Sequence, residues 1–167
     1  IGKYQKMYLP THSVFEEKRY FRPGYQTSTF ETKLGTLGML ICYDIYFPEV
    51  TRLLCLRGAQ LLICISASPS VRRGFFETLT AARAIENTAF VAFVNLAGIQ
   101  DGLQFWGGSR IIAPSGSVIS QAKYDEADLI TAKISYSDLT RVQAWVPTLR
   151  DLRPEIFSSL KDGAENL

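Results

Sequence analysis

Three cysteines, Cys42, Cys55 and Cys64, and a single histidine, His12, are the side chains of this 167-residue chain best suited to nucleophilic or metal chemistry. Cys42 ends the apolar, glycine-punctuated run 34–42 (LGTLGMLIC), and Pro48 follows where a helix's first turn tolerates it. That spacing puts Cys42 on a strand-to-helix elbow at the edge of a sheet. A helix start supplies free backbone N–H groups and partial positive charge, which favour a thiolate and can hold a developing oxyanion. The thiol's ordinary pKa of about 8.5 leaves it mostly protonated at neutral pH, so it needs a base or positive surroundings to act. Cys55 falls within a helical stretch and Cys64 within an apolar strand, and both read as packing residues. Position alone does not separate a nucleophile at Cys42 from a small core residue.

Other chemistries find less support. An odd number of cysteines without metal-ligand spacing, and one histidine to join them, make neither a disulfide framework nor a zinc site, so no metal and no cofactor is expected. His12 has no carboxylate or serine pattern around it and is given no catalytic role. Arg83 and Glu86, three apart on a helix, read as a structural ion pair.

The elements that must position Cys42 follow from hydrophobic periodicity. After the strand at 34–42, residues 50–57 continue a helix from Pro48, Gly58 stops it, and 59–66 (AQLLICIS) is a buried strand. Phe76, Leu79, Ala82 and Ile85 recur at helical spacing, and 89–96 (AFVAFVNL) is the next strand. Residues 109–113 and 117–121, joined by the turn Pro114-Ser115-Gly116, read as a hairpin, and 129–134 as a further strand. Alternating strands and helices followed by a hairpin imply an α/β fold with a mixed sheet. The tail 145–167, with Pro147 and Pro154 and no strong period, reads as an arm on a surface. One domain over 1–167 is expected.

A net charge of +2, with acidic and basic residues interspersed, offers no patch for a phosphate backbone, and no nucleic-acid partner is expected. The longest apolar runs are far short of a membrane span, so a cytoplasmic protein without membrane contact is expected. The first residue is Ile1 rather than Met, and a longer natural protein is expected.

Three segments bring the residues together. Residues 38–49 (GMLICYDIYFPE) resemble the nucleophile motif of the nitrilase superfamily of carbon–nitrogen hydrolases, an apolar strand ending in Cys-Tyr-Asp with Phe-Pro-Glu after it. Upstream, Lys6-Met7-Tyr8-Leu9-Pro10 is similar to the family's catalytic lysine motif, and 15–24 (FEEKRYFRPG) to the segment carrying its auxiliary glutamate, which falls on Glu17 rather than Glu16. Three further runs extend the match in order: 83–87 (RAIEN) with Asn95, Gly108-Ser109 with 112–116 (IAPSG), and 150–155 (RDLRPE). Agreement of several motifs in the correct order is far rarer by chance than one.

The resemblance implies a four-layer αββα sandwich of the nitrilase type, incomplete at the N-terminus. It implies a thiol hydrolase in which Cys42 attacks an amide or nitrile carbon, while Lys6 and the backbone N–H of Tyr43 hold the oxyanion and Glu17 assists. The general-base glutamate of the family lies upstream of the lysine motif and is expected outside this chain. Cys-Tyr-Asp, rather than Cys-Trp-Glu, places the chain nearer the amidase and omega-amidase branches than the true nitrilases, so the implied substrate is a small linear amide. The family often has arginine where Tyr46 stands, so that position does not supply the arginine an acidic substrate would want. A homodimer or larger homo-oligomer is implied through the arm at 145–167. A non-catalytic interaction module, and acyl transfer to an amine instead of water, are the alternatives.

Overall fold

The computed structural model describes residues 2–12 and 14–166. A mixed six-stranded sheet forms its centre, built from β1 (Thr29–Thr32), β2 (Gly35–Ile41), β3 (Leu61–Ser66), β4 (Phe90–Asn95), β7 (Arg110–Ile112) and β8 (Val118–Gln121). They lie side by side in that order. β2, β3 and β4 are parallel, and the outer strands pair antiparallel. The separate hairpin β5 (Ala97–Gln100) and β6 (Leu103–Trp106) stands beyond the end of β4. Helices α2 (Pro48–Leu56) and α3 (Arg73–Asn87) connect the parallel strands, and α1 (Glu17–Tyr20), α4 (Ser137–Trp145) and α5 (Pro154–Glu165) lie outside that unit. The expected α/β class with a mixed sheet is what forms.

Strand alternation decides which side chains meet the helices. Leu40, Leu62, Cys64, Val91 and Phe93 are buried on one face against Val50 and Leu54 of α2 and Phe76 and Ala84 of α3. On the opposite face Leu61 and Phe90 pack against Leu139 of α4, but toward the C-terminal ends of the strands Ile65 and Val94 are 43% and 50% exposed. The described residues therefore supply one helix layer and one sheet layer, with an apolar sheet face left partly open. Among them no helix is long and apolar enough to cross a membrane.

Three local expectations are corrected. Residues 129–134 form no strand: 127–135 run as irregular chain that hands Ile134 and Tyr136 to the second face of the sheet. The tail is not aperiodic: Pro154, at a first-turn position, opens the twelve-residue helix α5, whose Ile156, Phe157 and Leu160 remain exposed. Leu167 lies outside the described residues. The strand before Cys42 ends at Ile41, one residue early, and Cys42 itself opens a short 3₁₀ turn, Cys42–Tyr46, before α2 begins at Pro48.

β2 comes unusually close to α2. A Cβ placed on Gly38 would sit 2.9 Å from Leu62 Cδ2 and 3.2 Å from both Leu54 Cβ and Ala59 Cβ. A side chain there would wedge the helix off the strand that carries the elbow. Gly38→Val should lower the unfolding free energy of the complete protein by about 1–3 kcal/mol, the usual cost of overpacking. An unchanged urea midpoint would show that α2 can yield at no cost.

Candidate active site

Cys42 has φ of +47°, in the left-handed region that non-glycine residues seldom occupy. Holding it there costs about 1–3 kcal/mol, so the surroundings must over-determine it. They do so chiefly through Asp44, two residues on and fully buried. One oxygen of its carboxylate accepts from the Ile41 N–H at 3.0 Å and the Tyr4 hydroxyl at 2.8 Å. The other accepts from the backbone N–H groups of Met7 at 3.2 Å and Tyr8 at 2.9 Å. One carboxylate thus joins the residue before Cys42 to the residue after Lys6. Burial nevertheless raises the Asp44 pKa, because its donors offset only part of the desolvation.

Two further contacts fix the same unit. The Tyr8 ring stacks on Phe47 at 3.4 Å between centroids, tying the lysine segment to the end of the turn. Arg83 reaches from α3 to the turn's last carbonyls, with Nε 2.9 Å from the Ile45 oxygen and Nη2 3.2 Å from that of Tyr46. Its expected pairing with Glu86 is present at 2.9 Å, but Arg83 is buried and does more than decorate a helix face.

Lys6 is brought to Glu17. Its Nζ lies 2.7 and 2.6 Å from the two carboxylate oxygens, with both side chains mostly withdrawn from solvent. Glu16, the alternative carboxylate in that segment, faces away and pairs with Arg19 at 3.6 Å. Glu17 and Cys42 line one cleft. Burial pushes the Cys42 thiol upward; the Lys6 charge, the Ser66 hydroxyl and the Ala67 N–H pull it back, and the Glu17 carboxylate adds to the rise. The positive surroundings expected from the sequence are therefore outweighed, and the resting group is a thiol. Cys55 and Cys64 are buried, each with its thiol pushed up to about 12. Tyr43 is the second residue of the 3₁₀ turn, where a helical start leaves N–H groups without intrahelical partners.

Sequence reasoning passed over several residues of this cleft. His12 lines it, edge-on to Tyr43 at 5.2 Å. Ser68 and Arg72 line it from the segment after β3. Asn95 Oδ1 accepts from the Ser68 N–H at 2.8 Å, and its Nδ2 donates to the Ser68 carbonyl at 3.3 Å; Ser109 Oγ accepts from the Asn95 N–H at 3.0 Å. Those two motif residues hold the segment that walls the cleft.

Residues 1–144 match the family model described as "Carbon-nitrogen hydrolase". The chain belongs to the carbon–nitrogen hydrolase family. It is 39% identical over 144 residues to a glutamine-dependent NAD(+) synthetase of Aquifex aeolicus, covering 84% of this chain and 25% of that protein. It is 32% identical over 157 residues to 2-oxoglutaramate amidase of Bacillus subtilis, covering 94% of this chain and 60% of the relative. Among solved structures, a mutant of the amidase from Nesterenkonia sp. AN1 superimposes with a TM-score of 0.81 at 31% identity, over 95% of this chain and 56% of that one. That structure shows the acetamide moiety of fluoroacetamide added covalently at the active-site cysteine. The chain spans a quarter to three-fifths of the length of these proteins.

Two outcomes follow from the carbon–nitrogen hydrolase geometry. In Asp44→Asn the amide oxygen can face Met7 and Tyr8, and Tyr4 can turn to accept from the new NH₂, but the Ile41 N–H is left without an acceptor. Unfolding should become easier by about 1–3 kcal/mol, the cost of one buried orphan, and an unchanged denaturation midpoint would refute the role given to Asp44. Lys6→Ala should move the Cys42 thiol's titration up, and Glu17→Gln should move it down, as read from the pH dependence of Cys42 alkylation. Shifts in the same direction would contradict the charge balance described.

Proposed function

We propose that this chain carries the nucleophilic half of a thiol hydrolase that cleaves the non-peptide C–N bond of a small linear amide through a cysteine acyl-enzyme. The observation that carries the reading is the Asp44 carboxylate bonded to both Ile41 and Met7, which locks a strained cysteine elbow to a lysine segment. Such a lock has little value for packing and much for holding reacting groups within the tolerance of about 1 Å that catalysis demands.

A base first removes the Cys42 proton, and the thiolate adds to the amide carbon. Negative charge then passes to the amide oxygen, where the Lys6 ammonium and the Tyr43 N–H stabilise it. The protonated base gives its proton to the nitrogen, the C–N bond breaks, and ammonia or an amine leaves. Water, deprotonated by the same base, hydrolyses the thioester and regenerates the thiol. Glu17 holds Lys6 in place with both of its oxygens. That engagement argues against Glu17 as the base, which we assign to a carboxylate from outside residues 1–167. The amidase names carried by two of the relatives support an amide over a nitrile.

In the complete protein, Lys6→Ala should lower the rate of ammonia release from simple amides by at least about a hundredfold, as loss of one oxyanion donor does, with circular dichroism unchanged. Near-normal turnover would remove Lys6 from the oxyanion site.

A further inference from the structure

Cys64 does more than fill the core behind Cys42. Leu62, Cys64 and Ser66 alternate onto the face of β3 that meets the helices, and the parallel register sets Gly38 beside Leu62, Leu40 beside Cys64 and Ile41 beside Ile65. One further step along both strands brings Cys42 abreast of Ser66, the last residue of β3. Strand geometry thus sets the Ser66 hydroxyl beside the Cys42 sulfur.

Three contacts join the two cysteines to that hydroxyl. Cys64 Sγ lies 3.7 Å from Ser66 Oγ, within hydrogen-bonding reach for sulfur. The backbone N–H of Cys42 donates to the Cys64 sulfur. The Ser66 hydroxyl and the Ala67 N–H each hydrogen-bond to the Cys42 sulfur, drawing its pKa down against burial. A serine hydroxyl has one proton and two lone pairs. Cys64 is fully buried and its thiol is pushed up to about 12, so it keeps its S–H through the neutral range. A thiolate at Cys42 is the stronger acceptor, so the Ser66 proton turns to it and the Cys64 S–H donates to the Ser66 oxygen.

The donor is also held still. Ser66 pairs with Asn95 across β3 and β4, and its carbonyl accepts from the Leu96 N–H at 3.0 Å. A donor fixed before charge appears needs no reorganisation when it does. In the proposed mechanism Lys6 and the Tyr43 N–H serve the amide oxygen, which leaves the sulfur to Ser66 and Ala67.

We propose that the Ser66 hydroxyl, oriented by the Cys64 thiol, is a catalytic hydrogen-bond donor to the Cys42 sulfur. It works twice in each turnover. When the base takes the Cys42 proton, Ser66 and the Ala67 N–H share the charge left on sulfur. After hydroxide formed from water has added to the thioester carbon, the C–S bond breaks and its electron pair returns to sulfur. The same two donors receive that charge until the protonated base gives its proton back. Cys64 is a positioning residue that acts through Ser66. The proposal rests on reading Cys42 as the amide-cleaving nucleophile, and it adds the groups that manage charge on its sulfur.

The test follows the pH dependence of Cys42 alkylation by iodoacetamide in the complete protein. It needs no turnover, so its failure is distinct from failure of the hydrolase reading. The charged and titratable groups facing Cys42 are Lys6, Glu17, His12, Tyr43, Tyr46 and Arg72, with the Asp44 carboxylate behind the turn, and all are kept in every variant. Ser66→Ala should raise the alkylation midpoint by about one pH unit, the loss of a hydrogen bond to a charged group. The high-pH rate should not fall, because a more basic thiolate is the stronger nucleophile. Ser66→Thr, which keeps the hydroxyl, should bring the midpoint back toward that of the unmodified protein, and Cys64→Ala should raise it by less than Ser66→Ala does. A midpoint that Ser66→Ala leaves in place or lowers, a rise that Ser66→Thr does not reduce, or a high-pH rate that falls with the shift overturns the role of Ser66. A midpoint unmoved by Cys64→Ala overturns the orienting role of Cys64. In a protein that turns over amides, Ser66→Ala should also slow ammonia release at neutral pH about tenfold, the equivalent of one pH unit, with KM little changed. Unchanged release there would overturn the catalytic role.

Discussion

The buried carboxylate of Asp44 is the constraint on which the site depends. Four donors from two separate stretches of chain converge on its two oxygens. Without a buried acceptor there, the N–H groups of Ile41, Met7 and Tyr8 would be left unpaired or hydrated, and nothing would compel Cys42 to keep a left-handed backbone. The rest of the α/β frame serves this junction. β2 delivers the elbow, α3 sends Arg83 to its trailing carbonyls, and Tyr8 stacks on Phe47 to hold the lysine segment down.

Charge is arranged with similar economy. Lys6 and Glu17 form a nearly closed pair beside Cys42, so the cation that would favour a thiolate is partly cancelled by its own anchor. Burial then decides the balance, and the Cys42 thiol is held above its ordinary range. This suits a mechanism in which one carboxylate takes the thiol proton and later returns it to the leaving nitrogen, because a thiol kept neutral supplies that proton itself. In the proposed mechanism Lys6 would act on the oxygen, where charge appears only as the reaction proceeds, so its contribution would be concentrated in the transition state.

Much of this was legible in the sequence because the parallel strands are continuous apolar runs, and Gly58 and Pro48 mark the ends of α2. The misses have physical causes. The hairpin β5–β6 turns at Asp101-Gly102, both with positive φ, which is the dipeptide signal for such a turn; it was overlooked because Leu96 and Ala97 run on from β4. Residues 129–134 carry a strand-like composition but pair with nothing, since Ile134 is used for packing on the sheet face. The helix at the tail has its apolar side exposed within this chain, so burial gives no warning of it. Asp44 lies within the nucleophile motif without an evident role in sequence, because three of its four donors are thirty-six to forty residues away in the chain.

The central claim is that Cys42 forms a covalent thioester with the acyl part of an amide. Rapid acid quenching of the complete protein during turnover, followed by peptide mass spectrometry, measures this directly. A mass increase equal to the acyl group on the peptide containing Cys42, absent from those containing Cys55 and Cys64 and lost on hydroxylamine treatment, is the result this account predicts. Steady release of ammonia with no acylated Cys42 at any quench time, and undiminished release by Cys42→Ala, would contradict it.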